Sequence, residues 1–169
     1  VSPKRVTKDE YYLGIAKEVA KRSTCFRRSI GAIIIRDDQI ISTGYVGAPR
    51  KTKSSFEHGS CLRDKLNIPH GHRYELCRSV HAEQNAIINA ARAGVSLLGG
   101  DIYIYGKTVK DDKTIDAIPC FICKKMIINA GLKRVLSSGE DGNMLIFSTD
   151  DWINDWKEND IIDDRHQYG

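Results

Sequence analysis

"PCFICKKMIINAGLKRVLS", residues 119–137, reads as a helix followed by a strand. Pro119 suits a helix start because the N–H it lacks would be wasted there, and Gly131 is a natural left-handed stop. Beyond Gly131, "LKRVLS" (residues 132–137) is a short strand, and upstream "DIYIY" (residues 101–105) is another. A further helix, from about Val80 to Ala93 and stopped by Gly94, precedes them. Helices alternating with strands in this half predict an α/β fold with some parallel strand pairs.

Working toward the N-terminus, Tyr12, Ile15, Ala16, Val19 and Ala20 fall at helical spacing, so residues 8–22 read as an amphipathic helix. "IGAIIIR" (residues 30–36) and "QIISTGY" (residues 39–45) flank Asp37 and Asp38 and predict a hairpin. Residues 46–76 show no sustained period, and so long an irregular segment is usually functional or tied down. Toward the C-terminus, "DWINDW" (residues 151–156) predicts a last helix whose tryptophans cover the core or a subunit contact.

A chain of 169 residues, 41% hydrophobic and 28% charged, fits one soluble domain, expected to run over 1–169 with an acidic tail from about 149. The longest apolar run, near Ile30–Ile35, is too short for a bilayer, and the N-terminus lacks a signal peptide's apolar core, so a cytoplasmic protein is expected. From Thr149 onward there are seven acidic and two basic residues; the preceding part holds 24 basic and 15 acidic, a balance that suits an anionic ligand. The basic residues are scattered, which argues against a nucleic-acid groove.

Five cysteines, an odd number without an export signal, argue for metal or redox chemistry over a disulfide framework. Cys120 and Cys123, three apart at a helix start, can face one ion, and the positive helix end favours their thiolates. In "CRSVHAEQNAI" (residues 77–87), His81 can add a third ligand, leaving a fourth position for water on a zinc ion. Glu83, two residues on, can then move protons to and from that water. Separately each motif is weak: H-x-E is commonly surface polarity, and C-x-x-C is divided among redox, structural zinc and buried cysteine. Together they are specific.

The H-A-E and P-C-x-x-C motifs resemble those of the zinc-dependent cytidine/deoxycytidylate deaminase superfamily. "RSTC" ending at Cys25, "IGAIII" from Ile30, "STGYVGAP" from Ser42, "GSCL" around Cys61 and "IINAG" from Ile127 resemble its deoxycytidylate (dCMP) branch. The resemblance implies a three-layer α/β/α sandwich around a mixed sheet of about five strands. It also implies a pyrimidine nucleotide metabolism enzyme, a zinc-dependent hydrolase that converts dCMP to dUMP and ammonia. In it, His81, Cys120 and Cys123 hold Zn2+, zinc-bound hydroxide attacks C4, and Glu83 shuttles protons. The Ala82 backbone would contact the pyrimidine edge, Val46 and Gly47 would lie by the sugar, and assembly from dimer to hexamer is expected.

Some features depart from that pattern. Val46 stands where the family normally has a sugar-contacting asparagine, which opens the alternatives of another group filling in, a modified nucleotide, or a free nucleoside or base. The thirteen residues 106–118 are longer than the family's usual connection and either line the pocket or form a surface excursion. Relatives with a second, structural zinc imply one here on Cys25, Cys61 and Cys77 with His72, or else His58 or His70; three buried thiols are the alternative. For a phosphate, Arg28 and Arg50 are the favoured cations among Arg27, Arg28, Arg50, Lys51 and Arg78. A non-catalytic zinc-stabilised module is a competing reading, which Glu83 opposes because a purely structural site needs no such carboxylate.

Overall fold

Strand β1 (Arg28–Arg36) is buried along most of its length, and its alternating side chains feed two separate cores. Ala32 and Ile34 point to one face of the sheet, Ile33 and Ile35 to the other. Strand β3 (Asp101–Thr108) repeats this, with Ile102 and Ile104 on the first face and Tyr103 and Tyr105 on the second. Strands covered on both faces read as continuous apolar runs, which is why neither shows a polar alternation.

The computed structural model describes residues 1–161, so residues 162–169 of the expected acidic tail lie outside the described residues. Five strands form one sheet in the order β2-β1-β3-β4-β5, the others being β2 (Gln39–Tyr45), β4 (Arg134–Ser137) and β5 (Leu145–Ser148). The β3–β4 pair is parallel and the remaining pairs antiparallel, so the sheet is mixed as expected. Asp37 and Asp38 both adopt positive φ, 51° and 59°, the geometry of a two-residue hairpin turn between Arg36 and Gln39. A register shift at Ile34/Ile35 accompanies it.

Helix α1 (Lys8–Ala20) covers the second face through Tyr12, Ala16 and Ala20. A capping box between Thr7 and Glu10 starts it, and the Tyr12 hydroxyl donates to Asp38 Oδ1 at 2.5 Å, tying the helix to the hairpin turn. That hydrogen bond pushes the Tyr12 phenol up to about 12. The predicted span of 8–22 overruns by two residues because the chain turns at Lys21.

The irregular segment contains two one-turn helices, α2 (Ser55–His58) and α3 (Leu62–Lys65), and a 3-10 turn at Tyr74–Leu76. Helices α4 (Ala82–Ala93) and α5 (Phe121–Asn129) cover the first face, completing three layers. Helix α6 (Thr149–Glu158) places Trp152 against Phe147 and Trp156 against Phe121, so both tryptophans pack within the chain. Among the described residues no helix is long and apolar enough to cross a membrane.

The residues 106–118 turn out to be both alternatives at once. Gly106 and Thr108 accept or donate backbone bonds with Ile115 and Lys113, folding the segment back along β3 with an exposed tip. Ser138 Oγ donates to Ile115 O, and Ala117 N donates to Ser138 O, anchoring the return. Ile118 then lines the same pocket as His81.

Gly44 sets the height of α4 above the sheet. A Cβ there would lie 2.3 Å from Ala86 N and 2.4 Å from Ala82 O, both backbone atoms of the helix. Gly44→Ala is expected to cost about 1–3 kcal/mol by forcing the helix outward. Gly14, exposed in α1 with nothing within 4 Å of its added Cβ, is the opposite case. Gly14→Ala is expected to gain about 0.5–1 kcal/mol. Urea denaturation of the two variants checks both signs.

Candidate active site

Two helix starts meet at one point of the first face. His81 is the N-cap of α4, in extended conformation, and its backbone N–H donates to Gln84 Oε1 at 3.0 Å. Cys120 is the N-cap of α5, set by Pro119, and Cys123 follows one turn later. Both sulfurs lie 3.4 Å from His81 Nδ1. The three ligand atoms are within 4.8 Å of one another, and among the described residues no other group of three His, Cys, Asp or Glu converges so tightly. One imidazole and two buried thiols at this spacing match a zinc donor set that leaves a position open.

The electrostatics favour a cation there. A hydrogen bond from Cys123 holds the Cys120 thiol far below its ordinary value, at about 4, with further help from His81 and against burial. The same bond, with burial and the nearby Glu83 carboxylate, pushes Cys123 up. Burial pulls His81 down, but Cys120 and Glu83 outweigh it and leave the imidazole raised. Glu83 is only 6% exposed, and burial raises its carboxyl. It sits in α4's first turn, interacting with Cys123, and Ala82 beside it is fully buried.

A loop bridge positions the rest. Gly47 and Val80 exchange backbone bonds, Val80 N to Gly47 O at 2.8 Å and Gly47 N to Val80 O at 3.3 Å. This pins the turn after β2 to the residue just before His81. Val46 is 9% exposed, belongs to the core and lines the pocket along with Ile30 and Ile118.

The cations divide differently from the sequence expectation. Arg28 lines the pocket with His81 and Glu83. Arg50 does not; its Nη2 donates to Asn89 Oδ1 at 2.5 Å over the outer side of α4, in a separate depression with Arg92. The turn at Pro49 carries it away from the pocket. Arg27 forms an ion pair with Asp64, and Arg78 donates to Ser60 O at 2.6 Å.

The residues expected for a second metal are only partly gathered. Cys25, Cys77 and His70 line the pocket, while Cys61 interacts with Asp64. Of the three candidate histidines, His70 lines this pocket and His72 and His58 do not. The Arg27 side chain reaches both Asp64 and, at 3.4 Å, His70 Nδ1, and its backbone N lies 3.4 Å from Cys25 Sγ.

Two pocket residues carried no signal that sequence reasoning used. Tyr74 meets His81 edge-on, ring centroids 5.4 Å apart at 87°. Arg63, 5% exposed, stacks over Tyr74 with Cζ 4.7 Å from the ring centroid. Both lie in the aperiodic segment, where no repeating pattern marks a side chain as inward.

The chain belongs to the family whose sequence model is described as "Cytidine and deoxycytidylate deaminase zinc-binding region", which matches residues 6–138. It is 33% identical over 128 residues to a deoxycytidylate deaminase of Schizosaccharomyces pombe, covering 76% of this chain and 36% of that one. A Saccharomyces cerevisiae deoxycytidylate deaminase is 32% identical over 130 residues, with 77% and 37% covered. The deoxycytidylate deaminase of Mycobacterium phage D29 is 32% identical over 133 residues, with 76% and 91% covered. The chain thus spans little more than a third of the length of the yeast relatives. A solved structure of the dCMP deaminase from cyanophage S-TIM5 in complex with dCMP and dUMP aligns with a TM-score of 0.59 at 25% identity, covering 81% of this chain and 85% of that one.

With a family zinc-binding region and a converging His/Cys/Cys group, the purified protein is expected to carry zinc. Cys123→Ser is expected to lower zinc by about one equivalent per chain, because a hydroxyl replaces a thiolate ligand. Metal analysis of the variant against the parent checks it.

Proposed function

We propose that this chain catalyses the hydrolytic deamination of a cytosine nucleotide, dCMP to dUMP and ammonia. The observation that carries the reading is the buried Glu83 carboxyl beside the His81/Cys120/Cys123 group, in a pocket that Arg28 also lines. Relatives named for deoxycytidylate deamination, and the cyanophage enzyme crystallised with dCMP and dUMP, support the choice of substrate.

Zinc held by His81, Cys120 and Cys123 would supply Lewis acidity that makes water a nucleophile near neutral pH. Glu83 takes a proton from the attacking water, hands one to ring N3, and delivers the other to the departing 4-amino group. A C4–O bond forms and the C4–N bond breaks, so one water is consumed for each ammonia released. The Ala82 backbone faces the pyrimidine edge and fixes the ring against Glu83. Val46 and Gly47 flank the sugar, and Arg28 neutralises phosphate charge.

Val46 favours a second reading within the same chemistry. Its buried aliphatic side chain offers no hydrogen bond where the family's asparagine would meet a sugar hydroxyl. A cytosine nucleotide altered at the sugar or base therefore stands beside dCMP as a candidate. A second, structural zinc on Cys25, Cys61 and Cys77 with His72, or else His70 or His58, would staple the segment between β2 and α4, which is otherwise built from one-turn helices.

Glu83→Gln is expected to keep its catalytic-site zinc and lose deamination by at least about 100-fold, as expected for removing a proton-transfer group. Ammonia release across cytosine nucleotides and nucleosides, with metal content measured in parallel, is the test; full turnover by a zinc-replete variant would reject the shuttle. Cys61→Ser is expected to lower zinc from two to one per chain while Cys123→Ser removes the other. A parent protein with a single zinc would reject the second site.

A further inference from the structure

We infer that Arg63 is the guanidinium that selects a phosphorylated substrate over the free nucleoside. This rests on the reading of the pocket as a site for a cytosine nucleotide. Arg63 stands on α3, is 5% exposed, and lines the pocket together with His81, Glu83 and Cys120. A guanidinium has five N–H donors and no means of losing its charge, so burial demands acceptors. Here Nη2 donates to Pro69 O at 3.3 Å, while Nε is buried without a hydrogen-bond partner. Among the described residues no carboxylate forms an ion pair with it. A buried charge is costly unless it is well paired, so an arginine whose partners are one carbonyl and the Tyr74 ring, with Nε left over, is suited to an anion that enters the pocket.

The neighbouring cations are differently engaged. Arg27 is neutralised by Asp64, Arg78 is held by the Ser60 carbonyl, and Arg50 is directed to Asn89 outside the pocket. Arg28 lines the pocket and, among the described residues, forms no ion pair. Arg28 and Arg63 thus present two positive charges with no ion-pair partner among the described residues, which suits a phosphomonoester dianion better than a neutral nucleoside. Tyr74 sets the reach of this pair of functions. Its ring stacks under the Arg63 guanidinium and meets His81 edge-on, so one aromatic side chain spaces the anion-binding end from the metal-binding end.

The test compares kcat/KM for dCMP with that for deoxycytidine, and calorimetric affinity for dUMP with that for deoxyuridine, in the parent and in Arg63→Met. The variant keeps side-chain bulk and is checked for fold and zinc content. Both phosphate-to-no-phosphate ratios are expected to fall by about 100-fold, as loss of a buried charge-assisted pair implies. Arg50→Met is expected to leave both ratios within about threefold. A merely structural Arg63 would lower both members of each pair together, so ratios unchanged in folded, zinc-loaded Arg63→Met would overturn the inference. Should that variant not accumulate, Arg63→Lys keeps the charge but loses the fork, and a fall of about tenfold is expected. Unchanged ratios there would overturn it equally. A parent protein that turns over neither dCMP nor deoxycytidine would count against the proposed reaction, and the dUMP-to-deoxyuridine affinity ratio would still decide the role of Arg63.

Discussion

The backbone contact between Gly44 and α4 is the constraint on which the site depends. Without a side chain at Gly44, the helix rests directly on β2, with Ala82, Ala86 and Ala90 as its buried face. Polar side chains then fasten it: Ser42 Oγ donates to Ala86 O at 2.8 Å, Asn85 Nδ2 to Tyr45 O at 2.8 Å, and Asn89 Nδ2 to Thr43 O at 2.7 Å. Each bond joins a side chain of one element to the backbone of the other, so helix and strand move as a unit. The position of His81 is thereby inherited from the sheet. A change of a few tenths of an ångström at Gly44 would be felt at His81 through a single helix.

The second helix reaches the same point by a different route. The parallel β3–β4 pair requires a crossover, and α5 is that crossover. Its N-terminus therefore opens at the end of the sheet where α4 also begins. Two helix N-termini face one small volume, and both favour negative charge there. That common field suits thiolates, and it also suits the charged form of the Glu83 carboxylate. Burial opposes the charged form of Glu83 while His81 favours it, so the two influences pull the group in opposite directions. Fold topology and site chemistry are consequently the same fact seen at two scales.

Much of this was legible in the sequence because it repeats. The helix of Tyr12, Ala16 and Ala20, the hairpin at Asp37–Asp38 and the Pro119-to-Gly131 helix all announce themselves by period or by a turn residue, and each stands within a few residues of expectation. The helix read from Val80 begins instead at Ala82, because Val80 is engaged with Gly47. Strand β5 carries no such signal: four residues at a sheet edge, only partly buried, leave too short a pattern to separate from the acidic tail. Arg50 looks suited to a phosphate from its place after Pro49, yet its direction depends on a loop conformation that sequence does not encode locally. Arg63 escapes notice for the complementary reason. Its burial comes from the tertiary folding of an aperiodic segment, not from a face of a helix or strand.

The remaining question is where selectivity comes from if the sugar is not held by its hydroxyl. Val46, Ile30 and Ile118 make an apolar wall, and apolar walls discriminate weakly between a hydroxyl and its absence. Strong discrimination needs polar groups that are left unsatisfied by the wrong ligand. In this pocket the polar groups lie at one end around Glu83 and at the other around Arg28 and Arg63, where Arg63 Nε is buried without a partner. On the proposed function a nucleotide would meet both ends at once, with Tyr74 and the Gly47–Val80 bridge holding the interval between them. The middle of the ligand is then measured by length and shape more than by hydrogen bonding. On the proposed reading, Val46 in place of an asparagine leaves recognition of a nucleotide to the two polar ends of the pocket.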